Sequence, residues 1–367
     1  MKQQRIPFIT VLLFFSVIGV FSVWNVLAPK TAISWNENRT LASVPELSAS
    51  HIFGGRFDDD FETWFSDHFF ARDTWIELKS FTKKATLSIE NNDIYFASDG
   101  RLVSRFAQAD DITLSSNIEQ IESFANDQAI TPNVLLVPTA AWGAASSLPL
   151  FAWDIDQETL LQTIEQQMPS VTMVSYPSVT SPDPHLYFKT DHHWNEQGAY
   201  LGYVAICQQV LHKEPNSFTF TLASTSFQGT MVSKSGAFHT APDPIYTIVS
   251  NKPVEAETLL DDGTVLHGVY SESRLSEKDQ YSYYVDGNHA REDIHTDLHN
   301  GRRAVLIKDS YSHILVPYLI TEYEDLILLD LRYYHAPVSD VLEEGDDVYF
   351  IYSLDNFSSD PSLAFLR

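Results

Sequence analysis

Two short segments of the chain carry residue types that can perform nucleophilic chemistry. The first places a carboxylate, two imidazoles and an indole at consecutive positions, Asp191-His192-His193-Trp194. The second contains Ser310, which directly follows a predicted strand much later in the chain. Together they supply an orienting acid, a base and a nucleophile in the chain order Asp, His, Ser, the set that serine hydrolases and acyltransferases use.

The spacing within the first segment assigns a role to each residue. Asp191 and His193 are two positions apart, so both can face one nucleophile, with the carboxylate holding one ring nitrogen while the other takes the serine proton. His192 would then point elsewhere. Asn195 offers a helix N-cap directly afterwards, which would place the acid and the base on a rigid corner.

The position of Ser310 predicts how an oxyanion would be bound. Reactive side chains collect at the carboxyl ends of parallel strands, and a helix beginning there aims backbone N–H groups at the site. The amides of Ser310 and Tyr311 are therefore predicted oxyanion donors. The alternative is that Asp309 and Ser310 only cap that helix, as Asp and Ser commonly do.

A metal site is the other interpretation of the histidine-rich segment. Nitrogen and oxygen ligands suit zinc and related metals. Such a site would leave the serine without a role, so we expect neither a metal nor another cofactor. The residues that could form it are Asp191, His192 and His193 with His289, His295 or His299.

Composition limits the class of protein. The 367 residues are 44% hydrophobic, enough for a packed core in one large or two modest domains. The formal charge of -26 repels phosphate backbones, which excludes nucleic acid as the expected partner. A single cysteine, Cys207, rules out an internal disulfide.

The N-terminal segment predicts a membrane anchor. Residues 6–29 contain no charged side chain, and a span needs about 20 apolar residues. Lys2 and Arg5 precede it, which keeps the N-terminus in the cytoplasm and places the catalytic domain outside a single-pass cell-membrane span. The alternative is a signal peptide cleaved after Ala28, but the apolar run exceeds the roughly 7 to 15 residues that are usual for one.

The rest of the chain divides by pattern into a stalk and an α/β domain. Residues 1–30 form the n-region and anchor, 31–92 a tether and helical stalk, and 93–367 the catalytic domain. In the stalk, aromatic and apolar residues at helical spacing predict a helical hairpin. These residues are Phe57, Phe61, Trp64 and Phe65, then Trp75, Leu78 and Phe81.

Alternating apolar runs and helical patterns predict a mostly parallel sheet flanked by helices. One of the helical patterns begins at Pro337. Residues 219–300 are irregular and rich in Ser, Asp, Gly and Tyr, which predicts a small antiparallel insertion near the site. The predicted strands are residues 134–137, 171–174, 304–307, 326–329 and 348–352.

Six motifs together resemble the bacterial DHHW protein family. That family is similar to the SGNH-hydrolase-like domains of alginate O-acetyltransferases, exported enzymes in which a D-x-H-W block precedes a G-x-S block. The resemblance extends over nearly all of the chain after the anchor. The motifs are residues 190–194, 227–230, 233–236, 307–311, 330–334 and 355–357.

The resemblance implies an SGNH-like fold with His193 as base, Asp191 as acid and Ser310 as nucleophile, and it places Arg332 and Tyr334 near the substrate. We also expect Trp194 and His192 to contact substrate, and Asn288 to supply a further oxyanion donor. Lys308 stands where the family pattern has glycine, so it either crowds the turn or brings a cation beside the oxyanion.

These inferences predict an anchored extracytoplasmic enzyme that moves an acetyl group onto a cell-envelope or secreted polysaccharide, with an acyl donor supplied by a membrane acyltransferase. Two other functions fit the same sequence. One is a carbohydrate O-acetylesterase, and the other is a catalytically silent glycan-binding or scaffold subunit.

Overall fold

A computed structural model describes residues 5–106 and 108–367 and divides the chain into two compact units. The first unit comprises residues 1–86 and 236–238, and the second comprises residues 87–235 and 239–367. Lys2, predicted to flank the anchor on its cytoplasmic side, lies outside the described residues.

The first unit is helical. Its helix α1 contains an apolar stretch, Phe8–Leu27, that is long enough to cross a membrane. A minimal strand pair, β1 and β2, precedes three further helices. Helices α3 and α4 confirm the two helical patterns predicted in the stalk. The bounds are α1 Arg5–Leu27, β1 Ile33–Ser34, β2 Arg39–Thr40, α2 Ala49–Phe53, α3 Arg56–Asp67 and α4 Arg72–Ala85.

The second unit contains two small antiparallel sheets and most of the helices. One sheet is formed by β3 Glu90–Asn91, β4 Ile94–Phe96 and β5 Leu102–Ser104, and the other by β8 Phe218–Phe227 and β9 Asp243–Ser250. Its helices are α5 Asp111–Gln128, α6 Ala140–Gly143, α7 Gln157–Gln167, α8 Glu196–Gln209, α9 Thr230–Ser235, α10 Val316–Leu319 and α11 Leu354–Ser359.

An eight-stranded sheet forms the centre of this unit, in the order β11-β10-β12-β14-β13-β15-β6-β7. The five strands from β14 to β7 are parallel, which confirms the predicted architecture, and the other three are antiparallel. The bounds are β6 Asn133–Val137, β7 Thr172–Met173, β10 Ala256–Leu260, β11 Val265–His267, β12 Arg291–Thr296, β13 Arg303–Lys308, β14 Asp325–Leu329 and β15 Asp347–Ser353.

Two expectations need correction. The segment 219–300 is not a separate insertion throughout, because β12 pairs with β14 and β10 and β11 continue the central sheet beyond it. The pattern beginning at Pro337 is not a helix. It forms only a 3₁₀ turn, Val338–Asp340, since the connection from β14 to β15 returns through a series of turns.

The sheet separates two hydrophobic cores. Alternate residues of β13 point to opposite faces, so Leu306 joins one core with Tyr203 of α8 and Val305 joins the other with Phe124 of α5. Helices therefore cover both faces. By the same alternation Lys308 lies on the face of Leu306.

Parallel register brings several loops to one edge of the sheet. Ile307 pairs with Leu329, and Lys308 pairs with Ile351. The residues that follow β13, β14 and β15 consequently emerge together, at the carboxyl edge where open α/β sheets place their sites.

Candidate active site

The structure joins the three predicted residues in one hydrogen-bonded chain. His193 Nδ1 lies 2.5 Å from Asp191 Oδ1, and His193 Nε2 lies 2.8 Å from Ser310 Oγ. Asp191 is 2% exposed and His193 is 5% exposed, so water is largely excluded from the hydrogen bond between these two side chains. The arrangement is that of a nucleophile, a base and an orienting acid.

A buried aspartate fixes the turn that presents Ser310. This residue, Asp309, caps the 3₁₀ helix Ser310–Leu315 by accepting the Tyr311 N–H at its Oδ1, 2.9 Å away. Its Oδ2 accepts the N–H and the hydroxyl of Ser353 and the amide of Asn356, each at 2.9 Å. The capping role considered from the sequence therefore belongs to Asp309, and the Ser310 hydroxyl is directed to His193.

The same bond corrects one oxyanion donor. Because the Tyr311 N–H already donates to the buried Asp309 carboxylate as part of the cap that holds this turn, it is not available to an oxyanion, and the prediction for Tyr311 is wrong. In the described part of the chain no hydrogen bond occupies the Ser310 amide, so that donor stays a prediction. Asn288 is exposed and accepts from Arg332 Nη2 at 3.2 Å, and its donor role also stays a prediction.

The Asp191 carboxylate is held from both sides. Oδ1 faces the His193 ring and also accepts the His193 N–H at 3.1 Å, while Oδ2 accepts the N–H and the hydroxyl of Thr230 at 2.8 and 2.9 Å. Gly229 passes so close that a Cβ there would lie 2.2 Å from Asp191 Oδ2. The absence of a side chain at Gly229 is what permits this approach.

Tyr281 packs against the base and was not predicted for that role. Its ring stacks on the His193 ring, with centroids 3.8 Å apart and planes 8° apart. Its hydroxyl donates to the Ser310 carbonyl oxygen at 2.9 Å. The sequence offered only its aromatic character within an irregular segment, which gives no signal for a contact with His193.

Trp194 is part of the core and not of the substrate surface. It is fully buried, its indole N–H donates to the Tyr311 carbonyl at 2.7 Å, and its ring lies 5.6 Å from that of Tyr176. A Cβ on Gly202 would meet the indole at 2.7 Å, which shows how closely α8 packs on it. The expected substrate contact is wrong, because this large apolar ring is stabilised by burial.

His192 lies at the border of the site. Its side chain is 29% exposed, and Nδ1 is 2.9 Å from the Thr230 hydroxyl and 3.3 Å from Asp191 Oδ1. It can contact solvent and, through Thr230, share the hydrogen-bond network of the acid. A substrate role for His192 stays a prediction.

Arg332 and Tyr334 follow β14 at the edge that carries Ser310. The Arg332 guanidinium is paired with buried Asp330, and its side chain remains 29% exposed. Tyr334 packs against the core on the face opposite His193. Arg332 therefore keeps its predicted role beside the substrate, whereas the packing of Tyr334 gives its predicted role no support.

Lys308 belongs to a buried polar cluster that the sequence did not indicate. Its ammonium lies 3.2 Å from Glu292 Oε1 and 2.8 Å from His313 Nε2. Burial raises the pKa of Glu292 to about 7, although Lys308 acts in the opposite direction. The cation is thus committed to these partners and does not crowd the turn before Ser310.

The metal alternative loses its additional ligands. Asp191, His192 and His193 offer ligand atoms within 4.8 Å of one another. His289 is instead paired with Asp261, and the other two candidate histidines lie at the opposite edge of the sheet, near carboxylates. These pairs are His295 with Asp325 at 2.7 Å and His299 with Glu324 at 3.9 Å. Both ring nitrogens of His193 face the acid and the serine.

The pKa shifts of His193 and Asp191 favour a neutral base and an ionised acid. Burial, and next the neighbouring His192, lower the pKa of His193 to about 4. Burial opposes ionisation of Asp191, yet the charges of the two imidazoles and their hydrogen bonds hold the pKa of that carboxyl well below its usual range. At neutral pH the base is therefore neutral and the acid is ionised.

One protein family matches the chain over part of its length. The family model described as DHHW protein matches residues 177–329, a range that includes the three residues of the hydrogen-bonded chain. The resemblance to the DHHW family is confirmed. No curated protein sequence matches the chain.

Two solved structures share the fold, and a third is a weaker match. A DHHW family protein from Eubacterium siraeum is 20% identical with a TM-score of 0.64, covering 76% of this chain and 96% of its own. Bacillus cereus PatB1, solved with a sulfonyl adduct, is 22% identical with a TM-score of 0.61, covering 76% and 100%. The O-acetyltransferase domain of Pseudomonas putida AlgJ is 14% identical with a TM-score of 0.45, covering 75% and 95%.

The lowered pKa of His193 predicts activity that persists into acid. Deprotonated His193 is the active form, so the rate of acetyl-ester turnover falls only as the pH drops through its pKa of about 4 and not near 6.5. In His192→Gln the loss of a neighbouring positive charge raises that pKa, and the acid limb moves upward. The pH dependence of kcat/KM measures both limbs. A wild-type limb near pH 6.5 contradicts this assignment.

Gly229→Ala tests the close approach to Asp191. The new methyl must push the carboxylate or the loop aside, at a cost of about 1–3 kcal/mol in the free energy of unfolding. We expect a lower melting temperature together with reduced turnover, because Asp191 shifts relative to His193. Thr230→Ser, which keeps the hydroxyl and the N–H, is the control and should retain both. A Gly229→Ala protein with parental stability and turnover would show that the contact is unimportant.

Proposed function

We propose that this chain is a membrane-anchored, extracytoplasmic serine acyltransferase that O-acetylates a cell-envelope or secreted polysaccharide. The observation that carries the proposal is the hydrogen-bonded chain from Asp191 through His193 to Ser310, with a base that is neutral at physiological pH. A serine hydroxyl hydrogen-bonded to a buried, oriented imidazole is poised for nucleophilic attack.

The proposed reaction proceeds in two halves. Ser310 Oγ attacks the acetyl carbonyl of the donor while His193 Nε2 takes its proton, and His193 returns that proton to the leaving group, which leaves an acetyl-serine. A sugar hydroxyl then attacks this ester, giving its proton to His193, and Ser310 leaves with that proton. Asp191 stays ionised throughout and stabilises the imidazolium.

Two further groups support the transition state. The Ser310 amide donates to the oxyanion, and Tyr281 places its ring face against the imidazole that becomes positively charged. Tyr281 also holds the Ser310 carbonyl through its hydroxyl. One side chain thereby contacts both the base and the backbone of the nucleophile.

The comparisons support this chemistry by analogy. PatB1, of similar fold, carries a sulfonyl adduct, and sulfonyl reagents modify activated nucleophiles. We carry that reactivity to Ser310 as part of the proposal. The partly exposed side chain of Arg332, which follows β14 at the sheet edge that carries Ser310, would then bind a polar group of the substrate.

The anchor determines where the substrates are met. If α1 spans the cell membrane with Arg5 on the cytoplasmic side, the catalytic unit is extracellular, where envelope glycans are available. An acyl donor would reach it from a membrane acyltransferase.

The Ser310→Ala variant should lose acetyl-ester turnover and labelling by a fluorophosphonate probe while keeping the parental melting temperature. Asp191→Asn should lower turnover by about 10⁴-fold, because it spoils the tautomer of His193. His193→Ala should be comparably severe and His192→Ala milder. Steady-state kinetics compares the four variants. Turnover retained in Ser310→Ala, or a greater sensitivity at His192, would refute the assigned roles, and a folded but inert wild type would favour a silent glycan-binding subunit.

Transfer is distinguished from hydrolysis by the fate of the acetyl group. With the full chain in detergent, an acetyl ester and envelope oligosaccharides should yield acetylated sugar, detected by mass spectrometry, together with an acetyl adduct on the intact protein. Ser310→Ala is the control and should form neither product. Free acetate alone, with every glycan unmodified, would identify an esterase.

A further inference from the structure

Helices α3 and α4 present an exposed apolar surface that no part of the proposed chemistry uses. Its members are large apolar side chains that remain 39–67% exposed in the folded chain. We call this set the apolar face of the stalk, and it comprises Phe61, Phe65, Trp75, Leu78 and Phe81.

The apolar face of α3 is a continuous aromatic row. Phe57 and Phe61 lie with ring centroids 6.0 Å apart, and Phe61 and Phe65 lie 6.1 Å apart. The spacing of four residues keeps these rings on one side of the helix. A contiguous exposed patch of this kind marks an interaction surface in a soluble or peripheral protein.

The rest of the α3 surface is acidic. Asp59, Asp60 and Glu62 are all exposed and lie off the aromatic row, while Asp58 lies beside it. Such a helix has one side suited to an apolar phase and one suited to water, as interfacial helices do. Its acidic side would be repelled by anionic lipid headgroups, so the apolar side must provide the attraction.

The stalk is attached to the outer end of α1. Phe21 lies 6.4 Å from Phe70 and 6.1 Å from Trp75 between ring centroids, and Trp24 lies 4.9 Å from Phe70. The Phe70 N–H donates to the Asn25 side chain at 3.0 Å. Aromatic packing and a buried amide therefore join the hairpin to the last turns of the apolar helix.

These contacts fix the depth of the hairpin. Phe21 lies six residues before Leu27, where the apolar stretch ends, and at 1.5 Å per residue this is about 9 Å inside that end. Interfacial helices bury their apolar faces roughly 5–10 Å below the headgroups. Side chains that touch Phe21 must lie at that level if α1 spans the bilayer.

We propose that α3 and α4 lie in the outer membrane interface, with the apolar face of the stalk inserted among the lipid acyl chains. This proposal rests on the proposed anchor and adds a second membrane contact to it. Attachment is apolar, so it needs no anionic lipid and does not weaken with salt. Among exposed elements of the described residues, this hairpin is the one already packed on the apolar helix.

Site-specific labels in the full chain test the proposal. Phe61→Cys and Phe81→Cys carry a fluorophore on the apolar face, and Glu62→Cys carries it on the neighbouring acidic face as the matched control. Val17→Cys reports the anchor itself. The native Cys207 is fully buried, so the parent chain should take up no label. Each variant is reconstituted in phosphatidylcholine vesicles and quenched with nitroxide-labelled lipid or with iodide in water.

We expect nitroxide lipid to quench the labels at positions 17, 61 and 81 severalfold more than the label at position 62, with the opposite order for iodide and no change at high salt. If position 17 responds to lipid but 61 and 81 respond to iodide as position 62 does, the anchor stands and the interfacial hairpin is refuted. Lack of lipid quenching at position 17 refutes the anchor and the hairpin together. Shielding of positions 61 and 81 from both quenchers indicates contact between protein copies and refutes insertion into lipid. Loss of lipid quenching at positions 61 and 81 at high salt also refutes it.

Discussion

The geometry of this site depends on a carboxylate that takes no part in the reaction. Asp309 is 1% exposed and accepts four hydrogen bonds, from the backbone of Tyr311, from both donors of Ser353 and from Asn356. Burial alone would make its ionised form costly, and donors on two segments offset that cost. The bonds tie the turn after β13 to the end of β15, and this fixes where the Ser310 hydroxyl can point. The Tyr311 N–H is the donor to Oδ1, so moving the turn away would leave that buried oxygen unsatisfied, which restricts the turn.

A second buried carboxylate positions the other half of the hydrogen-bonded chain in the same way. Asp243 accepts the backbone N–H groups of Lys189 and Thr190 and, at 2.6 Å, the Thr190 hydroxyl. It therefore anchors the segment immediately before Asp191, while Thr230 and Gly229 hold Asp191 itself. The acid, base and nucleophile are each positioned by buried backbone donors that converge on carboxylates. An acidic protein can build a precise site by this means, because each buried negative charge is paired with local N–H groups and not with a distant cation.

Local patterns in the sequence predicted the strands and the three residues that the structure joins by hydrogen bonds, and they failed where long-range packing decides. The apolar runs at 304–307 and 326–329 are strands because their composition suits a sheet buried on both faces. Trp194 was misplaced because four residues of sequence do not reveal that α8 leaves room for an indole at Gly202. The Tyr311 amide was misassigned because a cap at Asp309 was treated as an alternative to a catalytic site. In the structure the cap holds the turn that directs Ser310 to His193.

The stacking of Tyr281 on His193 makes part of the irregular segment a structural component of the site and not a cover over it. The ring and hydroxyl of one residue contact both the base and the backbone of the nucleophile, so a local opening of the Gln280–Tyr283 turn would release both at once. Subglobal openings of this kind cost less free energy than complete unfolding. Such an opening would separate the base from the nucleophile while the central sheet stays folded.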